Sequence, residues 1–155
     1  AGHSYGAFTT QVVAGMRLTT PDGSWRSLKD TRFTAFISLS PTTPVQRERL
    51  DEAFADIDRP VLHLTGTHDD SPIGRDQAAD RLLPFAHIPA ANQTLVVFEG
   101  ADHMAFGDSR LGRGFGLERD GRKDIAIHRS IQNVTTHFWN AWLKDSNEGR
   151  DFMQK

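Results

Sequence analysis

Gly2-His3-Ser4-Tyr5-Gly6 is the stretch that decides the fold of this 155-residue chain. Its pattern, Gly-x-Ser-x-Gly, is typical of an exposed serine on a sharp turn between a β-strand and an α-helix. We expect glycine at the first and last positions because side chains there would collide where the strand and the helix pack closely. Chance alone produces this pattern in about one chain in twenty of this length. The motif therefore predicts a nucleophile only in combination with other sites.

Short apolar strands alternate with helices after this motif. The predicted helices cover residues 5–16, 44–57, 76–85 and 125–144, and the predicted strands cover 33–39, 60–65 and 94–98. Residues 106–124, rich in Gly and Arg, are predicted to form a surface loop. This alternation favours the α/β class, with a parallel sheet of about three visible strands that is flanked by helices on both faces.

The position of the motif leads to an expectation about the domain. Only Ala1 precedes it, so the strand that should lead into Ser4 is not visible. Three strands also make a narrow sheet. We therefore expect residues 1–155 to be the C-terminal part, a fragment, of a single domain whose N-terminal strands are missing.

Composition excludes several classes of partner and chemistry. Eighteen Lys and Arg against twenty Asp and Glu give a formal net charge of −2, which does not indicate nucleic-acid binding. The absence of cysteine excludes disulfides, thiolate metal sites and a cysteine nucleophile. No apolar run reaches the length of a membrane span. The sequence indicates neither a cellular location nor an oligomeric state.

Acidic and imidazole side chains follow two successive predicted strands. Asp69 and Asp70 come after strand 60–65, and His103 comes after strand 94–98. The carboxyl ends of parallel strands meet at one edge of the sheet, where open α/β sheets bind ligands. The chain order of serine, acid and histidine is the order expected for a serine triad on this architecture.

These residue types suit nucleophilic catalysis. The hydroxyl of Ser4 is a weak nucleophile at neutral pH and needs a base within hydrogen-bond reach. The imidazole of His103 is suited to that task, and a carboxylate on its far nitrogen would fix the tautomer and stabilise the imidazolium. The backbone N–H of Tyr5 is the natural first donor to an oxyanion. The second donor normally follows an earlier strand, which this sequence does not contain.

In its motifs at 2–7, 60–69 and 100–103, and in the closing helix around 138–143, the chain resembles the C-terminal half of the α/β-hydrolase superfamily. The likeness covers essentially the whole chain. Within the superfamily, the chain is most similar to the dienelactone hydrolase-like and platelet-activating-factor acetylhydrolase-like esterases. It implies hydrolysis of a small-molecule carboxylic ester through an acyl-enzyme, without a metal or an organic cofactor. It also implies that Ser4 is the nucleophile and His103 the base.

The acid of the triad has two candidates. The superfamily usually places it three residues after the glycine that ends the strand, here Gly66, which selects Asp69. The geometry of the loop could still select Asp70. Asp102 is interpreted as a loop cap, because side chains of adjacent residues such as Asp102 and His103 usually diverge.

Other interpretations stay open. The chain could be a non-catalytic or truncated relative of such hydrolases, or it could use the same fold for acyl transfer or peptide cleavage. His3 is predicted to pack against or line the site, and His63 to be a hydrogen-bonded core residue. Three apolar residues near the predicted edge are candidates either for an acyl pocket or for packing: Met104, Phe106 and Phe115.

Overall fold

The computed structural model describes residues 1–90, 92–107 and 121–154. In chain order, its strands and α-helices are β1 (Gly2–His3), α1 (Tyr5–Ala14), β2 (Leu18–Thr19), β3 (Trp25–Arg26), β4 (Phe36–Leu39), α2 (Leu50–Phe54), β5 (Val61–His68), α3 (Leu83–His87), β6 (Gln93–Asp102), α4 (Gly121–Leu143) and α5 (Asn147–Met153). Short 3₁₀ helices cover Arg47–Arg49, Ala78–Leu82 and His103–Phe106. Most of the loop predicted for 106–124, including Phe115, lies outside the described residues.

Four strands form one parallel sheet in the order β1-β4-β5-β6, whereas β2 and β3 form a separate antiparallel pair. Ser38 of β4 lies opposite Gly2 on one side and His63 on the other. The predicted α/β class with a parallel sheet flanked by helices is confirmed. The expected count of about three visible strands is too low by one, because Gly2–His3 pair with β4 and form a short strand directly before Ser4.

The sheet has a hydrophobic core on each face. Successive side chains of a strand point to opposite faces, so adjacent residues of β5 enter different cores. Leu62 packs in the core that includes Phe138 of α4. Val61 packs in the core that includes Val12 of α1 and Phe54 of α2. This burial on both sides explains why the strands are nearly continuous apolar runs.

The helix predicted over residues 44–57 is shorter in the structure, and a tertiary contact explains where it ends. In a continuing α-helix the carbonyl of Ala53 would accept from the N–H of Ile57. Instead the Arg17 N–H donates to Ala53 at 2.8 Å, and Ile57 donates to Phe54. The helix α2 therefore closes at Phe54, after the 3₁₀ helix Arg47–Arg49.

The helix predicted over residues 76–85 is a 3₁₀ helix followed by the short α-helix α3. Pro84 lacks an N–H and cannot donate to the Asp80 carbonyl, which accepts from Leu83 instead. The tighter winding changes which side chains face inward. The apolar Leu82 is 39% exposed, whereas the charged Arg81 is 1% exposed.

Helix α4 is the longest helix and begins at Gly121, four residues before the predicted start of its 125–144 span. Its buried side chains recur at helical spacing, and three of them pack in the core with strand residues of the sheet: Ile127, Val134 and Phe138. This stripe agrees with the amphipathic pattern of the sequence. None of the helices in the described ranges combines the length and apolar character needed to cross a bilayer.

Helix α5 lies in the polar tail that follows residue 144. The Ser146 hydroxyl caps its start by accepting from the Gly149 N–H at 3.2 Å. A Cβ added at Gly149 would lie 2.6 Å from the backbone nitrogen of Ala141, so α5 packs against the backbone of α4. The serine cap was a usable sequence signal.

His63 is a fully buried polar residue in the middle of β5. The amide nitrogen of Gln93 donates to the Ile88 carbonyl at 2.7 Å, so the amide oxygen of Gln93 faces His63 and accepts from its Nε2–H at 2.9 Å. Among the described residues, the Nδ1 atom has no hydrogen-bond partner. Burial lowers the pKa of His63 to about 4 despite the bond to Gln93.

This burial makes the stability of the fold sensitive to acid. The pKa of His63 is below its unfolded value near 6.5, so the unfolded chain binds the proton first and stability falls as the pH drops below 6.5. Because the unfolded chain takes up this proton more readily, we expect protonation of His63 to lower the free energy of unfolding by about 3 kcal/mol at pH 4. In His63→Gln, which keeps a donor for Gln93, urea unfolding should depend less steeply on pH between 6.5 and 4. Parallel curves for the two proteins would contradict this account.

Candidate active site

Ser4 lies on a sharp turn at the carboxyl end of β1. Its N–H donates to the Leu39 carbonyl of β4 at 3.0 Å, and its own carbonyl accepts from Phe8 in α1 at 3.1 Å. To join both elements, the backbone of Ser4 adopts φ 57° and ψ −116°, a conformation that costs free energy for a residue other than glycine. The turn presents the hydroxyl at the edge of the sheet rather than toward either core.

The two glycines of the motif have different roles. A Cβ added at Gly2 would lie 2.1 Å from the Gly6 carbonyl oxygen, because β1 and the first turn of α1 pack against each other. A Cβ added at Gly6 would have no described atom within 4 Å. The steric requirement predicted for both positions is therefore found only at Gly2. The prediction for Gly6 is wrong for the described residues, because the side of α1 that Gly6 occupies faces none of them.

Asp69 and His103 meet Ser4 at this edge. His103 begins the 3₁₀ helix after β6, and its Nε2 atom is 2.8 Å from the Ser4 hydroxyl. Its Nδ1 atom is 2.7 Å from Oδ1 of Asp69, which follows β5. Asp69 is fully buried and His103 is 5% exposed. Three strand ends thus bring a hydroxyl, an imidazole and a carboxylate into one hydrogen-bonded chain.

The hydrogen bonds determine the direction of this chain. An ionised Asp69 can only accept, so the proton of a neutral His103 lies on Nδ1. The lone pair on Nε2 then accepts from the Ser4 hydroxyl, which is the arrangement needed for deprotonation of the serine. The second oxygen of Asp69 accepts from the Thr65 hydroxyl at 2.8 Å.

The other two aspartates have capping contacts instead. Asp70 is exposed, and its Oδ1 accepts from the Ala78 N–H at 2.8 Å, at the start of the 3₁₀ helix Ala78–Leu82. Asp102 accepts from the N–H groups of Met104 and Ala105 at 2.9 and 3.0 Å. Of the two acids left open by the sequence, Asp69 is therefore the one that contacts His103.

His3 supports His103 from the strand side. Its Nε2–H donates to the His103 carbonyl at 2.9 Å, and the two ring centroids are 4.8 Å apart. Burial, and then the charge of a protonated His103, lower the pKa of His3. A neutral His3 therefore holds the backbone of His103 without adding a second positive charge beside it.

Tyr5 is the first residue of α1, so its N–H has no acceptor within the helix and lies at the positive end of the helix dipole. The Tyr5 side chain is 80% exposed and stacks on Phe8 at 5.7 Å.

Met104 and Phe106 are buried, and Phe106 lies between the rings of Phe98 and His3. These two candidates for an acyl pocket are thus mainly packing residues within the described structure.

Arg81 is a buried residue beside the site that the sequence analysis did not predict. Arg81 lies against Asp69, with Nε 3.2 Å from the Asp69 carbonyl oxygen and 3.7 Å from its Oδ1. Arg81 lies in the 3₁₀ helix Ala78–Leu82 and is buried there, whereas the sequence pattern predicts an α-helix over these residues. Pro84 was the available signal for that difference.

No group of three or more His, Cys, Asp or Glu side chains in the described ranges is arranged to hold a metal ion. Comparisons with models of protein families, with curated proteins and with solved structures found no match to the chain.

The glycine geometry yields a matched pair of variants. Gly2→Ala should lower the unfolding free energy by about 1–3 kcal/mol, because the new methyl group overlaps the Gly6 carbonyl. Gly6→Ala should be neutral or stabilise the protein by up to about 1 kcal/mol, since alanine favours the helix and meets open space. Thermal and urea unfolding measure both. Equal losses in the two variants would show that the close approach at Gly2 is not what requires glycine.

Proposed function

We propose that the chain belongs to a serine hydrolase of the α/β-hydrolase type that cleaves carboxylic esters through an acyl-enzyme. The single observation that carries the proposal is the hydrogen-bonded series from Ser4 through His103 to Asp69, at 2.8 and 2.7 Å. The strained turn at Ser4 supports it, because such backbone strain at a nucleophile is typical of catalytic sites. The proposed substrate is a small-molecule ester.

The first half of the reaction forms the acyl-enzyme. His103 Nε2 takes the hydroxyl proton as the Ser4 oxygen bonds to the ester carbonyl carbon, and the carbonyl oxygen becomes an oxyanion. The Tyr5 N–H donates to that oxyanion. When the tetrahedral intermediate collapses, the C–O bond to the alcohol breaks and the imidazolium gives its proton to the leaving oxygen.

The second half releases the acid. His103 takes a proton from a water molecule whose oxygen attacks the acyl carbon, and the Ser4 oxygen recovers that proton as its ester bond breaks. Asp69 accepts from Nδ1–H throughout, which stabilises the imidazolium in both halves. Because Asp69 is fully buried, little water competes for this bond.

A covalent probe tests the nucleophile. We expect a fluorophosphonate to label Ser4 and to leave Ser4→Ala unlabelled, since the reagent needs an activated serine. His103→Ala should still fold but label far more slowly, because it lacks the base; its melting temperature should be lower than that of the wild type, since the buried Asp69 loses a donor. Mass spectrometry of tryptic peptides locates the adduct. A wild-type protein that is folded but does not react would favour the non-catalytic alternative, and labelling that persists in Ser4→Ala would exclude Ser4.

A pair of aspartate variants tests the acid. Asp69→Asn should lower kcat for p-nitrophenyl acetate by about 10⁴-fold, because an amide cannot stabilise the imidazolium and favours the wrong tautomer. Asp70→Asn should change kcat by less than about threefold, because asparagine can still cap the Ala78 N–H. Similar losses in both variants would remove the distinction between the two aspartates.

A further inference from the structure

We propose that Arg81 is a positioning residue for the Asp69–His103 pair, holding the carboxylate in the orientation that keeps the imidazole proton on Nδ1. The effect of Arg81 on catalysis rests on the proposed function, whereas its effect on the tautomer of His103 does not. Arg81 reaches this position from the 3₁₀ helix Ala78–Leu82, outside the three strand ends that carry Ser4, Asp69 and His103.

The guanidinium of Arg81 joins two loops at the sheet edge. Its Nε–H donates to the Asp69 carbonyl at 3.2 Å, in the loop that follows β5. Its Nη1 donates to the carbonyls of Pro41 at 3.0 Å and Ser40 at 3.4 Å, in the loop that follows β4. Nη1 also contacts the Asp76 carboxylate at 3.2 Å. One rigid planar group therefore sets the distance between neighbouring strand ends.

Arg81 also supplies charge to the buried carboxylate. Asp69 is fully buried, and a buried anion is costly unless a cation and hydrogen-bond donors face it. The ion pairs of the described residues give Asp69 two partners, His103 and Arg81. While His103 is neutral, Arg81 is the cation of that set, at 3.7 Å from Oδ1. The Asp69 carboxylate therefore faces a positive charge in the resting state, before the imidazole takes up a proton.

The geometry requires arginine rather than any cation. The Nε and Nη1 atoms of Arg81 donate toward different loops at the same time, which the guanidinium fork allows. A lysine ammonium is a single point on a flexible stem and would have to leave one loop to bind the other. Arg81→Lys should therefore keep the positive charge but hold the Asp69 carboxylate less firmly in its orientation.

The chain offers a matched control in Arg47. This arginine contacts the same Asp76 carboxylate at 3.4 Å and also pairs with Asp80. Its side chain is 43% exposed, and its ion pairs are with Asp76 and Asp80 rather than Asp69. Arg47→Met therefore removes an arginine from the same charge cluster without touching the Asp69–His103 pair.

The decisive measurement uses NMR to determine the ¹⁵N chemical shifts of the two ring nitrogens of His103 at alkaline pH. These shifts report which nitrogen carries the proton. His103→Gln identifies the signals. We expect the Nδ1–H tautomer in the wild type and in Arg47→Met, and a mixture of tautomers in Arg81→Met and Arg81→Lys. With p-nitrophenyl acetate, kcat should fall by about 10²-fold in Arg81→Met and less in Arg81→Lys, with KM within about twofold.

The outcomes separate positioning from simple structural support. A folded Arg81 variant that keeps the wild-type tautomer overturns the proposal, even if its melting temperature is lower. If Arg81→Met does not fold, Arg81→Lys decides, and failure of both to fold assigns Arg81 to stability alone and also overturns it. A wild-type protein without esterase activity would contradict the proposed function, while the tautomer measurement would still decide the role of Arg81.

Discussion

The arrangement of the sheet edge depends on one buried negative charge, the carboxylate of Asp69. Because the side chain is fully buried, each of its oxygens needs a donor. His103 and Thr65 donate to its two oxygens, and the Arg81 guanidinium lies close by. These groups come from different parts of the chain, so satisfying one carboxylate holds the ends of β5 and β6 and the segment around 78–82 in a single arrangement.

The parallel sheet makes this convergence possible. All four strands run in the same direction, and the residues that follow β1, β5 and β6 therefore emerge at one edge. Close backbone contacts keep the edge rigid. Gly2 approaches Gly6 where β1 meets α1, and Gly66 approaches Ala101 where β5 meets β6, at distances that leave no room for a Cβ. The free energy for the strained turn at Ser4 is supplied by the burial of the two cores around it.

Several elements show where local pattern was sufficient and where it was not. The apolar strands and the stripe on α4 were predictable, because burial of one face imposes a period that can be read locally. The helix at 44–57 was predicted too long, since its end depends on the Arg17 N–H, which is distant in sequence from Ala53. The inward direction of Arg81 also escaped prediction, because it follows from 3₁₀ winding rather than from the spacing of apolar residues.

The sequence by itself determined the class of fold and the set of polar residues at the strand ends, because strand periodicity and the glycine-framed serine are local properties. It also determined the order of Ser4, the acid and His103 along the chain. Only the tertiary structure decided between Asp69 and Asp70. Both follow the same strand, and the choice depends on which carboxylate is buried against His103 and which one caps the neighbouring 3₁₀ helix. Such a choice is made by contacts between distant segments, which no local pattern encodes.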